Sequence, residues 1–205
     1  MRDWDGVLRY WKNRHRRGRG HWESVGRGSV GKLARYKAGL VNRLVQEVDA
    51  LRIVDLGCGD GRQADRFHVP EYVGLEISEH AVAEARKRLA KHPNRTAHVW
   101  EPSDLLPERG CIALSMDVVF HLVDDELHGA YMRALFQAGT KAVAIYSTDY
   151  EGEPQGHMRH RNVSRWVEAN IQGWKRTQAV PPPWPNTEHP QNGSDCWWLV
   201  WEPTP

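Results

Sequence analysis

From Lys32 onward the chain alternates between two hydrophobic periods. Leu33, Tyr36, Leu40, Val41, Leu44, Val45 and Val48 recur at three- and four-residue spacing, the stripe of an amphipathic helix. Ser29 is placed to cap its start. Residues 52–56 are a short apolar run, a buried strand. A second run, Tyr72 to Ser78, leads into a helix over 79–91 with Ser78 as N-cap and Val82, Ala85 and Leu89 inward; Pro93-Asn94 closes it. A strand over 97–101, a polar loop through Pro102 and Pro107, and a buried strand over 111–116 follow. Asp124 or Asp125 opens a helix with Leu127, Tyr131, Leu135 and Ala138 inside and Gly139 as a left-handed stop. Residues 141–147 read as the fifth strand and 164–171 as a helix. Then the alternation ends. Segments 174–180 and 196–201 read as strands separated by Pro181-Pro182-Pro183-Trp184-Pro185 and a polar loop, so they pair antiparallel.

The pattern predicts an α/β fold of five β/α units and a closing β-hairpin. Residues 1–28 are charged and glycine-rich. They are expected to form an arm or lid, with a short helical or irregular piece over 4–13 and a flexible loop through Gly18, Gly20, Gly26 and Gly28. Residues 29–205 form the main domain. A length of 205 residues suits this single-domain organisation.

Charge changes the picture only locally. Lys and Arg total 28 against 26 Asp and Glu, a net charge of +2, which disfavours nucleic-acid binding across the whole surface without excluding it. The run Lys12, Arg14, Arg16, Arg17 and Arg19 is read either as a solvated arm or as a lid that contacts an anionic substrate. Cys58, Cys111 and Cys196 lack metal-ligand spacing and imply no disulfide framework, and no metal is expected. No run approaches membrane-spanning length and the start lacks an apolar signal core, so the expectation is a cytoplasmic monomer or homodimer.

The most informative stretch is Ile53-Val54-Asp55-Leu56-Gly57-Cys58-Gly59-Asp60-Gly61. It reads as a buried strand ending in a tight turn that brings bare backbone close to a ligand at the carboxyl end of a parallel strand. Asp55 and Asp60 flank the turn, which suits a cationic ligand better than a pyrophosphate. The spacing also departs from the dinucleotide fingerprint. About 20 residues on, Glu76 ends the next strand, where an acid accepts hydrogen bonds from ribose hydroxyls.

This run resembles motif I of the class I S-adenosylmethionine-dependent methyltransferases, and the element order over roughly 30–202 is similar to that family. The resemblance implies a Rossmann-like, doubly wound seven-stranded sheet, mostly parallel with a C-terminal antiparallel β-hairpin. It implies S-adenosylmethionine as cofactor and S-adenosylhomocysteine as product. Backbone at Gly57, Cys58, Gly59 and Gly61 would pass the methionine moiety and Asp55 would approach its amino group. Glu76 would hold the ribose, Ile77 would lie against the adenine and Asp104 would meet the adenine amino group. Ser115 and Met116 would line the sulfur end.

His121, just beyond the fourth strand, is the candidate base, with Asp117 behind it; the alternative for His121 is an imidazole bonded to backbone at a helix start. His157, Arg159 and Arg161 are read as an anionic substrate subsite, ordinary surface being the alternative; a metal site there is disfavoured. The expected reaction is direct displacement on a small-molecule or sugar-like acceptor, by O- or N-methylation. An RNA methyltransferase, a non-catalytic cofactor binder and a nicotinamide oxidoreductase are the competing readings.

Overall fold

The predicted apolar runs become the strands of one sheet. The computed structural model describes residues 5–17, 26–188 and 193–205. The strands are β1 (Arg52–Leu56), β2 (Glu71–Glu76), β3 (Arg95–Val99), β4 (Gly110–Met116), β5 (Gly139–Ser147), β6 (Trp174–Val180) and β7 (Trp197–Pro203). Their order is β3-β2-β1-β4-β5-β7-β6. The first five are parallel, and β7 runs antiparallel between β5 and β6. The helices are α1 (Asp5–Arg17), α2 (Gly31–Glu47), α3 (Glu79–Leu89), α4 (Asp125–Ala138) and α5 (Val163–Asn170).

Strand alternation divides the core in two. Ile53, Tyr72, Ile112 and Leu114 face Val41, Leu44 and Val45 of α2. Val54, Leu56, Leu75 and Ala113 face Leu127 and Leu135 of α4 and Val163 and Val167 of α5, and Leu8 of α1 joins this second core. The two edge strands expose polar side chains: Thr96 and His98 on β3, and Lys175, Arg176 and Thr177 on β6.

Several local expectations are corrected. Only α3, α4 and α5 follow strands within the sheet; β1 and β2 are joined by a single 3-10 turn, Ala64–Arg66, whose carbonyls are taken by the Arg95 guanidinium at Ala64 and Phe67. Val30, not Ser29, is the N-cap of α2, because Ser29 lies in the preceding turn and its amide donates to Gly26 O. Gly139 is extended (φ −83°, ψ 142°) and begins β5. It is glycine because a Cβ there would lie 2.6 Å from Ala142 O. Asn162 caps α5, since Ser164 is spent on Asp149. β3 begins at Arg95, earlier than its apolar content suggested. Ser78 and Asp124 do cap their helices. The arm helix α1 extends to Arg17; the predicted loop positions Gly18 and Gly20 lie outside the described residues.

Candidate active site

The glycine turn is held by β2. Gly57 N (2.7 Å) and Cys58 N (3.2 Å) both donate to Leu75 O. Gly57, Gly59 and Gly61 have φ of 85°, 56° and 74°, a region that L side chains rarely enter. A Cβ on Gly57 would sit 2.4 Å from Val118 Cγ2, and one on Gly61 3.1 Å from Ala85 Cβ, so the turn is also where α3 approaches. Glu76 is buried and oriented by backbone: Gly59 N donates to its Oε2 (3.2 Å) and Ser78 N to its Oε1 (3.0 Å). Each carboxylate oxygen retains a lone pair for a ligand.

The two acids that flank the turn do not present free charge. Asp60 lines the cavity described below but is paired with Arg62 (2.7 Å) and Arg88 (3.3 Å). Asp55 is buried and accepts from Tyr72 Oη (2.7 Å). Burial raises its carboxyl to about 7, against the lowering effect of that hydrogen bond. An acid whose folded pKa is raised binds its proton more tightly folded than unfolded, so stability falls as pH rises from the unfolded value towards 7. His121 and His128, both pushed down to about 3 by burial, act in the opposite sense below about pH 6.5, so the effect of Asp55 is read as a difference: between pH 5 and pH 8 the melting temperature of the ligand-free protein is expected to fall relative to that of Asp55→Asn. An unchanged slope in the variant would contradict the assignment.

A cavity of about 670 Å³ opens at the carboxyl ends of the strands. One wall carries Gly57, Cys58, Gly59, Glu76, Ile77, Trp100 and Pro102. Asp104 is not there: it is exposed and accepts from Glu101 N (3.0 Å). Ser115 is fully buried behind the wall, and the residue that reaches the cavity is its partner Tyr131. Tyr131 Oη donates to Leu56 O (2.7 Å), so Ser115 Oγ is the donor in their 2.7 Å contact. This fixes the carbonyl immediately before the glycine turn.

Met116 and Asp117 also line the cavity. Asp117 has φ 59° and its carboxylate accepts from Lys37 Nζ, an ammonium with no solvent exposure. As a base, Asp117 would have to act from within that ion pair. Lys37 was legible as a signal, since it sits four residues after Leu33 and four before Val41, on the buried stripe of α2.

His121 faces the far end of the cavity, among rings: Trp11 at 4.4 Å, Phe120 at 4.4 Å and His157 at 5.4 Å between centroids. Its Nδ1 lies 3.3 Å from His157 O, and a carbonyl only accepts, which assigns the proton to Nδ1 and the lone pair to Nε2. Burial pushes this imidazole down to about 3, so it is neutral at pH 7 and a feeble base, better suited to accepting a hydrogen bond.

His157 lines the cavity, whereas Arg159 and Arg161 do not. Arg159 pairs with Asp125 (3.0 Å). Arg161, buried, donates to Leu122 O, Val123 O (2.9 Å) and Asp125 (2.9 Å). Both arginines clamp the segment beside His121 instead of forming an anionic subsite. The arginines that do line the cavity are Arg62, paired with Asp60, and Arg14 of α1, which is accompanied by Val7, Leu8 and Trp11. Among the described residues no cluster of acids, histidines and cysteines could hold a metal ion.

A methyltransferase-domain family matches residues 53–142. These residues run from β1 to the start of β5 and make up less than half of the chain, which is over that stretch similar to S-adenosylmethionine-dependent methyltransferases. The N-methyltransferase NodS of Bradyrhizobium japonicum, solved with S-adenosylhomocysteine, superposes with a TM-score of 0.76 over 98% of this chain and 100% of that one, at 10% identity. Magnesium protoporphyrin IX methyltransferase of Synechocystis, solved with bound S-adenosylmethionine, gives 0.67 over 100% and 98% at 16% identity. Identities this low establish the fold.

A curated relative, trans-aconitate 2-methyltransferase of Variovorax paradoxus, is 39% identical over an alignment of 66 residues that covers 29% of this chain and 26% of that protein. The match thus spans about a quarter of that relative's length. The cofactor that goes with the methyltransferase domain is S-adenosylmethionine, and the cavity fits it. The turn presents no side chain at Gly57 and Gly59, Glu76 retains acceptor capacity, and Trp100 Nε1 is a buried donor without a partner on the same wall as Ile77.

Proposed function

We propose that the chain transfers a methyl group from S-adenosylmethionine to a small molecule of anionic character, by O- or N-methylation. The observation that carries this reading is the continuity of one cavity from Gly57 and Glu76 to His121 and α1. Bound there, S-adenosylmethionine supplies an electrophilic methyl on sulfur, and the acceptor's lone pair displaces the sulfur in one step.

The chain's own residues bind, align and exclude water. The backbone of Gly57, Cys58 and Gly59 takes the methionine end, while Gly61, expected there too, is off the cavity wall and lets α3 pack against the turn; Glu76 takes the ribose hydroxyls, and Ile77 with Trp100 takes the base. Met116 stands at the sulfur. Asp55 and Ser115 act from behind the wall, through Tyr72 and Tyr131. Neutral His121 helps align the acceptor, through its Nε2 lone pair where the acceptor carries an N–H or O–H, and alignment is where much of the rate gain in such a displacement lies. His157 lines the acceptor end.

In the arm set off from the domain at 29–205, residues 1–28 by the sequence, α1 acts as a lid; its place in the cavity wall and the Lys12–Glu101 ion pair support this. A cavity roofed by a helix favours a compact acceptor over RNA. The named acceptor of the Variovorax relative, trans-aconitate, is itself a small carboxylate. No helix of the described residues is long and apolar enough to cross a membrane, and the three cysteines are unpaired, as cytoplasmic residence expects.

Calorimetry with S-adenosylhomocysteine tests the reading. The wild-type chain is expected to bind it, and Glu76→Gln to bind about tenfold or more weakly through loss of a charged acceptor. An absence of heat in the wild-type titration overturns the proposal.

A further inference from the structure

We propose that the methyl acceptor is a flat, ring-bearing or conjugated carboxylic acid whose carboxylate pairs with Arg14 of α1. The inference rests on the methyl-transfer reading and assigns the acceptor's chemical class.

Three observations carry it. The first is the state of Arg14. Its Nη1 donates to Tyr10 Oη (2.9 Å) and its guanidinium carbon lies 5.1 Å from the centre of the Trp11 ring, so the group is oriented. Its Nε is buried and has no hydrogen-bond partner. Among the described residues no ion pair includes it, whereas Arg62, the other arginine of the cavity wall, is paired with Asp60, and Asp117 with Lys37. A buried guanidinium donor left without an acceptor is costly, and a bidentate carboxylate satisfies it.

The second observation is the charge balance around Arg14. The neighbouring imidazole of His121 is held neutral mainly by burial, with the charge of Arg14 acting in the same direction. His157 is pushed down by burial and by Arg14. One uncompensated positive charge beside two imidazoles shifted towards their neutral forms matches a monoanion better than a phosphate dianion.

The third is the shape of the surroundings. Trp11, Phe120, His121 and His157 present rings, and Tyr10 stacks on His157 at 5.0 Å with planes 24° apart. Such walls favour an aromatic or conjugated body, because rings gain from offset and edge contacts with one another. A carboxylate arriving already ionised also explains how the site works beside so feeble a base as His121.

The test uses the full chain saturated with S-adenosylhomocysteine, titrated with benzoate, cinnamate and indole-3-acetate and with the primary amide of each. At least one acid is expected to bind, with its amide weaker by about tenfold or more. Arg14→Gln is expected to weaken that acid by about tenfold to a hundredfold while S-adenosylhomocysteine affinity is retained, with Arg14→Lys recovering part of the loss. The proposal is overturned if no acid binds better than its amide, or if Arg14→Gln binds the acid as the wild type does. Failure of S-adenosylhomocysteine to bind strikes the methyl-transfer reading instead; the same acid-against-amide comparison on the free chain then decides the role of Arg14 alone.

Discussion

Asp117→Asn is expected to lower the melting temperature by about 6–12 °C, through a loss of about 3 kcal/mol. The variant keeps the shape of the side chain, and Asn tolerates the left-handed backbone that residue 117 adopts at φ 59°. What it removes is the counter-charge of Lys37, whose ammonium is fully enclosed. Truncating one partner of a buried pair leaves the other charge uncompensated, which is worse than losing both. Lys37→Met should therefore be milder, because Asp117 keeps 24% of its side-chain surface exposed and can be hydrated from the cavity. The double variant Lys37→Met with Asp117→Asn should recover most of the stability lost in Asp117→Asn. Thermal denaturation of the three variants settles it; an Asp117→Asn protein that melts with the wild type would show that the ion pair contributes nothing.

The second large effect belongs to Gly57→Ala. Two costs add. The backbone sits at φ 85°, where a Cβ costs about 1–2 kcal/mol. The new methyl would lie 2.4 Å from Val118 Cγ2, and such overpacking typically costs about 1–3 kcal/mol. Together they predict a melting temperature lower by about 4–20 °C and weakened binding of S-adenosylhomocysteine, since the turn that faces the cavity must move. Adding Val118→Ala removes the collision but leaves the backbone term, so the double variant should regain only part of the loss. Full recovery in the double variant would mean that the backbone conformation carries no penalty, and no loss in the single variant would remove the close approach from the account.

The sheet was readable in the sequence because its strands are built from local runs of Val, Ile, Leu and Ala that few other structures need. β1 and β7 follow as strands from residues 52–56 and 196–201, whereas the place of β7 between β5 and β6 is not written in that run. β3 was misplaced because its first residues, Arg95 and Thr96, are polar at a sheet edge, where hydrophobic content no longer marks a strand. The missing helix between β1 and β2 had no clear signature, since the glycine turn and the Ala64–Arg66 turn occupy that segment.

The candidate site was legible only where one segment builds its own geometry. Gly57, Gly59 and Glu76 line one cavity because the turn and the strand tip are local. Arg159 and Arg161 misled because a guanidinium that holds Leu122 O and Val123 O looks, in sequence, the same as one that waits for a substrate. Tyr131 and Arg14 reach the cavity from helices distant in the chain, and no spacing rule brings α1 over the strand tips. Lys37 alone left a trace, a charge in the middle of an apolar stripe.

The outer strands of the sheet carry one last implication. With lysine, arginine, threonine and histidine displayed along both borders, a second copy that tried to continue the ladder would have to desolvate those side chains with little apolar contact in return. Self-association by strand addition is therefore disfavoured at either end, and any pairing of two chains has to use helical surfaces instead.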